Sequence, residues 1–346
     1  MGLIINKPTY MPWHLSHMKF LKSIFQKKIQ SQTRRKLQKL LPPLFQKEEI
    51  PLFHHVQFET VSICNNDCSF CPMNIHLKKR EYKEADWVVI ERLGNELQNY
   101  SFEGILSLFN NNEPLIDRRL PDIVAFFRKK APRANIRIMT NGILINIKVV
   151  EQLIKAGISY IHINNYNEKN EFIPSVSKFI NDFSISKFKD SINVVVTMRY
   201  KNEVLHNRGG NSPNIPVLAK SKKWFCIFPF EQININPWGD MTICCNDVLY
   251  KRKMGNIMGD KSIYQLWASK EYKNIRNLLS NGKREGIDIC SVCNNPGIER
   301  TIDSRTGKPI GHNITYKVEK SVSGIEQLRW NTEIIVNDIN KSALSG

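Results

Sequence analysis

The chain has 346 residues, 41% hydrophobic and 10% aromatic, and carries a net charge of +18. That composition fits a globular protein with one sizeable core and a smaller attachment. It excludes a membrane-spanning helix, because no run reaches the ~18–20 apolar residues of a span.

The N-terminus lacks an apolar h-region and a small-residue cleavage site, so no signal peptide is read and a cytoplasmic location is expected. The eight cysteines stand at 64, 68, 71, 226, 244, 245, 290 and 293. A secreted disulfide scaffold would be short and loop-rich; clustered C-x2-C spacings in a chain of this kind favour metal binding. The basic residues are spread along the chain apart from the N-terminal segment, so nucleic acid is not the expected partner. An RNA-modifying reading rests on charge alone.

Residues 1–50 are basic, with Phe20, Leu21, Ile24 and Phe25, then Leu37, Leu40 and Leu41, at helical spacing. Such a helix packs on a neighbouring domain or lies on an anionic membrane as a peripheral contact. Pro42-Pro43 ends it. His55 to Ile63 reads as a first strand, and the loop Cys64-Asn-Asn-Asp-Cys68-Ser-Phe70-Cys71 follows directly. Helix is expected over Ala85–Tyr100, Leu120–Lys130, Val149–Ala156 and Ser175–Phe183. Strands are expected over Gly104–Phe109, Asn135–Thr140, Ile158–Asn164 and Ser191–Met198.

Alternating strands and helices argue for parallel βα units. In βα barrels the chemistry sits at the C-terminal ends of the strands. Cys64 to Cys71, Glu113, Asn141, Asn164 and Arg199 all fall at such ends, each after a different strand.

Beyond residue 216, Gln232 to Cys244 reads as a hairpin turning at Pro237-Trp238-Gly239-Asp240. A helix is expected from Ser262 to Leu279. Cys226, Cys244, Cys290 and Cys293 give C-x17-C-x45-C-x2-C. Four thiolates complete a [4Fe–4S] cluster with no open iron. A structural zinc site on the same four cysteines is the rival. After Cys293 the periodicity is lost.

Three thiolates spaced C-x3-C-x2-C can hold three irons of a [4Fe–4S] cluster and leave the fourth open. With Phe70 before the last cysteine, this stretch resembles the signature of the radical S-adenosylmethionine (SAM) enzymes. Asn111-Asn112-Glu113-Pro114 resembles the family's Gly-Gly-Glu-Pro, with asparagines in place of both glycines. Thr140-Asn141-Gly142 resembles its strand-ending Thr-Asn-Gly. The later cysteines, hairpin and helix resemble the twitch module, a shortened SPASM extension with one auxiliary cluster.

The resemblance implies a partial (β/α)6 TIM-like barrel followed by a small hairpin-plus-helix iron–sulfur module. It implies four segments: a basic extension over 1–50, the core over 51–215, the cluster module over 216–296 and a polar extension over 297–346. It implies two [4Fe–4S] clusters, held by Cys64, Cys68 and Cys71 and by Cys226, Cys244, Cys290 and Cys293. SAM would be contacted by Phe70, Glu113, Asn141, Asn164 and Arg199. A flavodoxin- or ferredoxin-like protein would supply the electron that cleaves SAM to a 5′-deoxyadenosyl radical. The expected outcome is oxidation or epimerisation of a sugar-like metabolite, with peptide modification as the alternative. Cys245 is left over; it could replace Cys244, return a hydrogen atom to a substrate radical, or be an inert thiol.

Overall fold

The structure, a computed structural model, describes residues 52–73, 80–169, 171–202, 206–218, 222–223 and 226–295, and the backbone of three strands between 318 and 339. The basic helix expected over residues 1–50, with its membrane contact, lies outside the described residues.

Four βα units lead the described fold. They run β1 (His55–Phe58), α1 (Trp87–Asn99), β2 (Ile105–Ser107), α2 (Leu120–Lys130), β3 (Asn135–Thr140), α3 (Ile147–Ala156), β4 (Tyr160–Tyr166), α4 (Pro174–Ile185) and β5 (Asn193–Arg199). Strands β1 to β5 are parallel and adjacent in sequence order. One face of this sheet is apolar. Val56, Phe58, Leu106, Ile136, Ile138, Ile161, Ile163, Val194 and Val196 are buried against Ile90 and Leu93 of α1, Ile123 and Phe127 of α2, Leu153 of α3 and Phe179 and Phe183 of α4. Each such side chain contributes ~1.5–3 kcal/mol by leaving water. Local signals set the helix ends: Asn146 caps α3 by accepting from Val149 N at 3.0 Å, and Gly157 closes it at φ 94°, a backbone that only glycine adopts freely.

The opposite face carries the alternate residues: His55, Gln57, Ser107, Arg137, His162, Asn164, Thr197 and Arg199. His55 bonds Ser107 at 2.9 Å, Arg137 bonds Ser107 at 3.0 Å, and His162 bonds Thr197 at 2.6 Å. An ordinary βα barrel fills this space with branched apolar side chains. Here the inner face is polar.

A short helix α5 (Phe228–Glu231) leads into β6 (Gln232–Ile235), which joins the sheet on the far side of β1, parallel to it. Then β7 (Asp240–Thr242) and β8 (Lys253–Asn256) continue antiparallel. The expected hairpin is therefore the first part of a three-stranded meander. The single helix expected over 262–279 is two, α6 (Ile263–Trp267) and α7 (Lys270–Ser280), because Ser269 accepts from Tyr272 N and starts a new helix. A last short helix, α8 (Asp288–Ser291), carries Cys290. At the other edge, backbone strands β9 (Val318–Val322), β10 (Gly324–Leu328) and β11 (Glu333–Ile339) extend the sheet, with β11 antiparallel to β5. The sheet is open, as a partial barrel requires, and the α/β class and its parallel core are as expected.

Candidate active site

β1 ends at Phe58, earlier than Ile63, because after Glu59, whose N still donates to Ile235 O, the chain leaves the ladder: Ser62 N and Ala85 N bond to Lys83 O and Thr60 O. The released segment turns into the cysteine loop at the C-terminal ends of the strands. The loop is anchored from three sides. Glu113 N donates to Ile63 O at 2.9 Å. Ser69 donates through its N and Oγ to Lys201 O, just past β5, at 2.9 and 2.8 Å. Ser212 Oγ donates to Phe70 O at 2.8 Å. Cys68 is buried, whereas Cys64 and Cys71 are half-exposed.

Glu113 is buried at the centre of this region. Its Oε1 accepts from Thr140 Oγ1 at 2.7 Å and Leu115 N at 3.0 Å, and its Oε2 from Asn141 N at 2.7 Å. Burial outweighs these bonds and pushes its carboxyl up to about 7. Oε2 keeps a lone pair for one further donor. Asn141 connects the carboxylate to the cysteines: its Nδ2 donates to Asn65 Oδ1 at 2.8 Å and lies 3.6 Å from Cys64 Sγ. Phe70 is buried against Tyr166 at a centroid distance of 5.9 Å, and Arg199 lies over the same tyrosine ring at 5.9 Å. Asn164 is buried on β4 opposite Thr197 of β5, one step below Tyr166 on the same face.

The fold thus brings Cys64, Asn141 and Glu113 into one hydrogen-bonded group, and Phe70 and Arg199 into a second beside it. Burial pushes the Cys64 thiol up to about 11 and the Cys68 thiol to about 12, with repulsion from neighbouring cysteines adding to it. Such thiols are not nucleophiles at neutral pH. They become good ligands when a metal displaces the proton, which fits an iron–sulfur cluster.

The later cysteines meet elsewhere. Cys226, Cys244, Cys290 and Cys293 line one small cavity with Phe228, Asn246, Arg284, Ile289 and Asn295. Burial pushes Cys226 up to about 11 and raises Cys244 and Cys290 further. Backbone N–H groups of Asn246 and Asn295 point at the sulfurs of Cys244 and Cys293, each at 3.4 Å. The buried Arg284 donates to Cys293 O and Asn295 O, and its charge favours the thiolate of Cys226. Four sulfurs around a cavity, with N–H donors and a cation, suit a negatively charged cluster. Among the described residues, no three His, Cys, Asp or Glu side chains converge tightly enough for a single metal ion. Cys245 is outside the cavity lining, and its carbonyl accepts from Asn111 Nδ2 at 2.8 Å.

Sequence reasoning missed the network between the two cysteine groups. Glu59, fully buried, accepts from Arg80 and from Tyr250 Oη and from Asn111 N at 3.0 Å. Arg80 also stacks on the Tyr250 ring at 4.4 Å. Burial raises the Glu59 carboxyl, with Arg80 opposing. Arg208 reaches Asn111 Oδ1 at 2.5 Å. Its φ of 46°, followed by Gly209 and Gly210 at 66° and 79°, makes a left-handed turn. The one available signal was the polar alternation His55, Gln57, Glu59.

Two family models match the chain: the radical SAM superfamily over residues 58–198 and the SPASM iron–sulfur cluster-binding domain over residues 226–294. The chain belongs to the radical SAM superfamily. As a radical SAM oxidoreductase it uses SAM and [4Fe–4S] clusters, the SPASM domain adding an auxiliary one. It is 29% identical over 249 residues to an S-adenosyl-L-methionine-dependent 2-deoxy-scyllo-inosamine dehydrogenase of Niallia circulans, covering 72% of this chain and 95% of that protein. A PqqA peptide cyclase of Granulibacter bethesdensis is 29% identical over 104 residues, 29% of this chain and 26% of that one. Among solved structures, BtrN in complex with AdoMet and 2-DOIA superposes with a TM-score of 0.62 at 28% identity, covering 71% of this chain and 95% of that chain. No helix among the described residues is long and apolar enough to cross a membrane.

Proposed function

We propose that this radical SAM enzyme is a dehydrogenase that oxidises an alcohol of a small cyclic, hydroxyl-bearing amine or sugar. The observation that carries the reading is the likeness to the inosamine dehydrogenase, which spans nearly all of that protein; the BtrN structure extends it to the fold. The peptide cyclase matches a much shorter stretch, so a peptide substrate is the second reading.

In this assignment Cys64, Cys68 and Cys71 hold the catalytic cluster, and Cys226, Cys244, Cys290 and Cys293 the auxiliary one, in a core over 51–215 and a module over 216–296. Held by these cysteines, the clusters would supply one-electron chemistry, reductive toward SAM at the first and electron-accepting at the second. Glu113 accepts a hydrogen bond from the SAM ammonium with its spare lone pair. Asn141 holds Glu113 and the Cys64 side of the loop in one geometry. Phe70 packs beside SAM and excludes water. Asn164 and Arg199 present polar groups at the ends of β4 and β5. The polar inner face supports a substrate with several hydroxyls: Gln57 Oε1 and both amide atoms of Asn234 are buried there without a partner. Cys245, outside the four-cysteine cavity, is the candidate hydrogen donor for an epimerase outcome. A flavodoxin- or ferredoxin-like protein delivers the electron, in the cytoplasm.

Anaerobic reconstitution tests this. About eight irons per chain, as two four-iron clusters need, and one 5′-deoxyadenosine per ketone formed from 2-deoxy-scyllo-inosamine are expected. Zinc in place of iron, or turnover of a peptide with no ketone from any aminocyclitol, overturns the reading.

A further inference from the structure

We infer that Asn111 is a positioning residue that couples the SAM-binding loop to the auxiliary-cluster segment, so that a change at one is felt at the other. This rests on the two-cluster assignment above. Asn111 is buried and every polar group it owns is engaged. Its N donates to Glu59 Oε1 at 3.0 Å and its carbonyl accepts from Arg80 at 3.2 Å, which fixes the backbone that continues into Asn112 and Glu113. Its Nδ2 donates to Cys245 O at 2.8 Å, and its Oδ1 accepts from Arg208 at 2.5 Å. The side chain thus spans from the Glu113 loop to the Cys245–Asn246 peptide, whose N–H points at Cys244 Sγ. In the family motif this position is glycine, which has no side chain and can make neither bond. Asn111 touches no cysteine sulfur itself.

The consequence follows from what Cys245 belongs to. The segment Cys244-Cys245-Asn246 aims Asn246 N at Cys244 Sγ. Hydrogen bonds to cluster sulfurs set reduction potential, because they favour the more negative, reduced state. The bond from Asn111 holds this segment from the SAM side. Losing it loosens the N–H···S contact and lowers the potential of the auxiliary cluster. At the other end, a less restrained Glu113 loop binds SAM more weakly.

The test compares Asn111→Gly, Asn111→Asp and the wild-type holoenzyme, all checked for iron. One readout is SAM affinity of the oxidised enzyme, which does not cleave it. The other is the midpoint potential of the auxiliary cluster, followed by electron paramagnetic resonance without SAM. Asn111→Gly is expected to weaken SAM binding about fivefold, the effect of one hydrogen bond. It should also lower the auxiliary potential by about 40 mV, a fivefold change at 59 mV per decade. Asn111→Asp keeps the Arg208 arm but cannot donate to Cys245 O, so it should reproduce the lower potential and recover most of the SAM affinity. A wild-type potential in both variants, at full iron content, overturns the coupling, as does a shift in SAM affinity alone. A wild-type chain that takes up about four irons, or zinc, overturns the two-cluster assignment and this inference with it.

Discussion

The two cysteine groups differ in how they are built, and the difference assigns their work. Cys64 to Cys71 sit on an irregular loop at the strand ends, with Cys68 buried and Cys64 and Cys71 half-exposed, suspended from distant partners such as Lys201 and Ser212. The other four wall a cavity whose surroundings include N–H donors aimed at sulfur and the buried Arg284. The first arrangement leaves one side free for a ligand, with Glu113 beside it. In the proposed assignment the second would leave no cluster corner open, and so would suit electron transfer rather than binding.

The sharpest way to break this contrast is to remove one ligand from each group. Cys71→Ala should abolish 5′-deoxyadenosine formation under dithionite and leave about four irons per chain. Cys290→Ala should also leave about four irons, yet still form 5′-deoxyadenosine; if it abolishes cleavage as fully as Cys71→Ala, the division of labour is wrong. Next in size is the ion pair between the groups. Arg80→Met strands the buried Glu59 carboxylate, and urea unfolding should show a loss of about 3–5 kcal/mol.

Glu113 sharpens the picture of the open site. Glu113→Gln keeps the shape but cannot carry charge, so SAM should bind about 10- to 100-fold more weakly, as for a hydrogen bond to an ion. Its pH dependence has a definite sign. The folded carboxyl sits at about 7, above its unfolded value near 4.5, so the native state binds the extra proton between these values. Stability of the SAM-free protein should therefore fall as pH rises from about 4.5 to about 7, by about 3 kcal/mol in all. SAM affinity should rise across pH 7, since the ammonium favours the ionised form. Both trends should vanish in Glu113→Gln; trends that persist there belong to another group. The smallest effect is expected at Gly209, where φ is 66° and an added Cβ would lie 2.6 Å from Ile289 Cγ1. Gly209→Ala should cost about 1–3 kcal/mol in unfolding experiments and loosen the turn that presents Arg208.

Much of this molecule was legible in its chain. α2 and β3 have the expected boundaries because their apolar periodicities are unbroken. The cysteine spacings and Glu-Pro are local patterns, and local patterns can be read. What could not be read was non-local or conditional. Glu59 meets Tyr250 across 191 positions, and nothing near either residue announces the other. The break between α6 and α7 depends on one serine, whose capping preference competes with helix continuation. Strand β8 is only Lys253-Met254-Gly255-Asn256, with Met254 its one apolar side chain, and its strand state comes from pairing with β7. Asn111 stands where the family motif has glycine, and the reach of its side chain to Cys245 and Arg208 is a contact across 134 and 97 positions that the motif does not announce.

The parallel pairing of β6 with β1 has a practical consequence. The strand beside the first strand of the barrel is made about 175 residues later, after Cys226. A fragment ending at residue 215 would leave the backbone groups of β1 uncovered along one whole side, an invitation to strand-to-strand aggregation. Late synthesis of this strand also postpones closure of the core until most of the chain has left the ribosome, so the nascent protein must wait, sticky-edged, for its own seal.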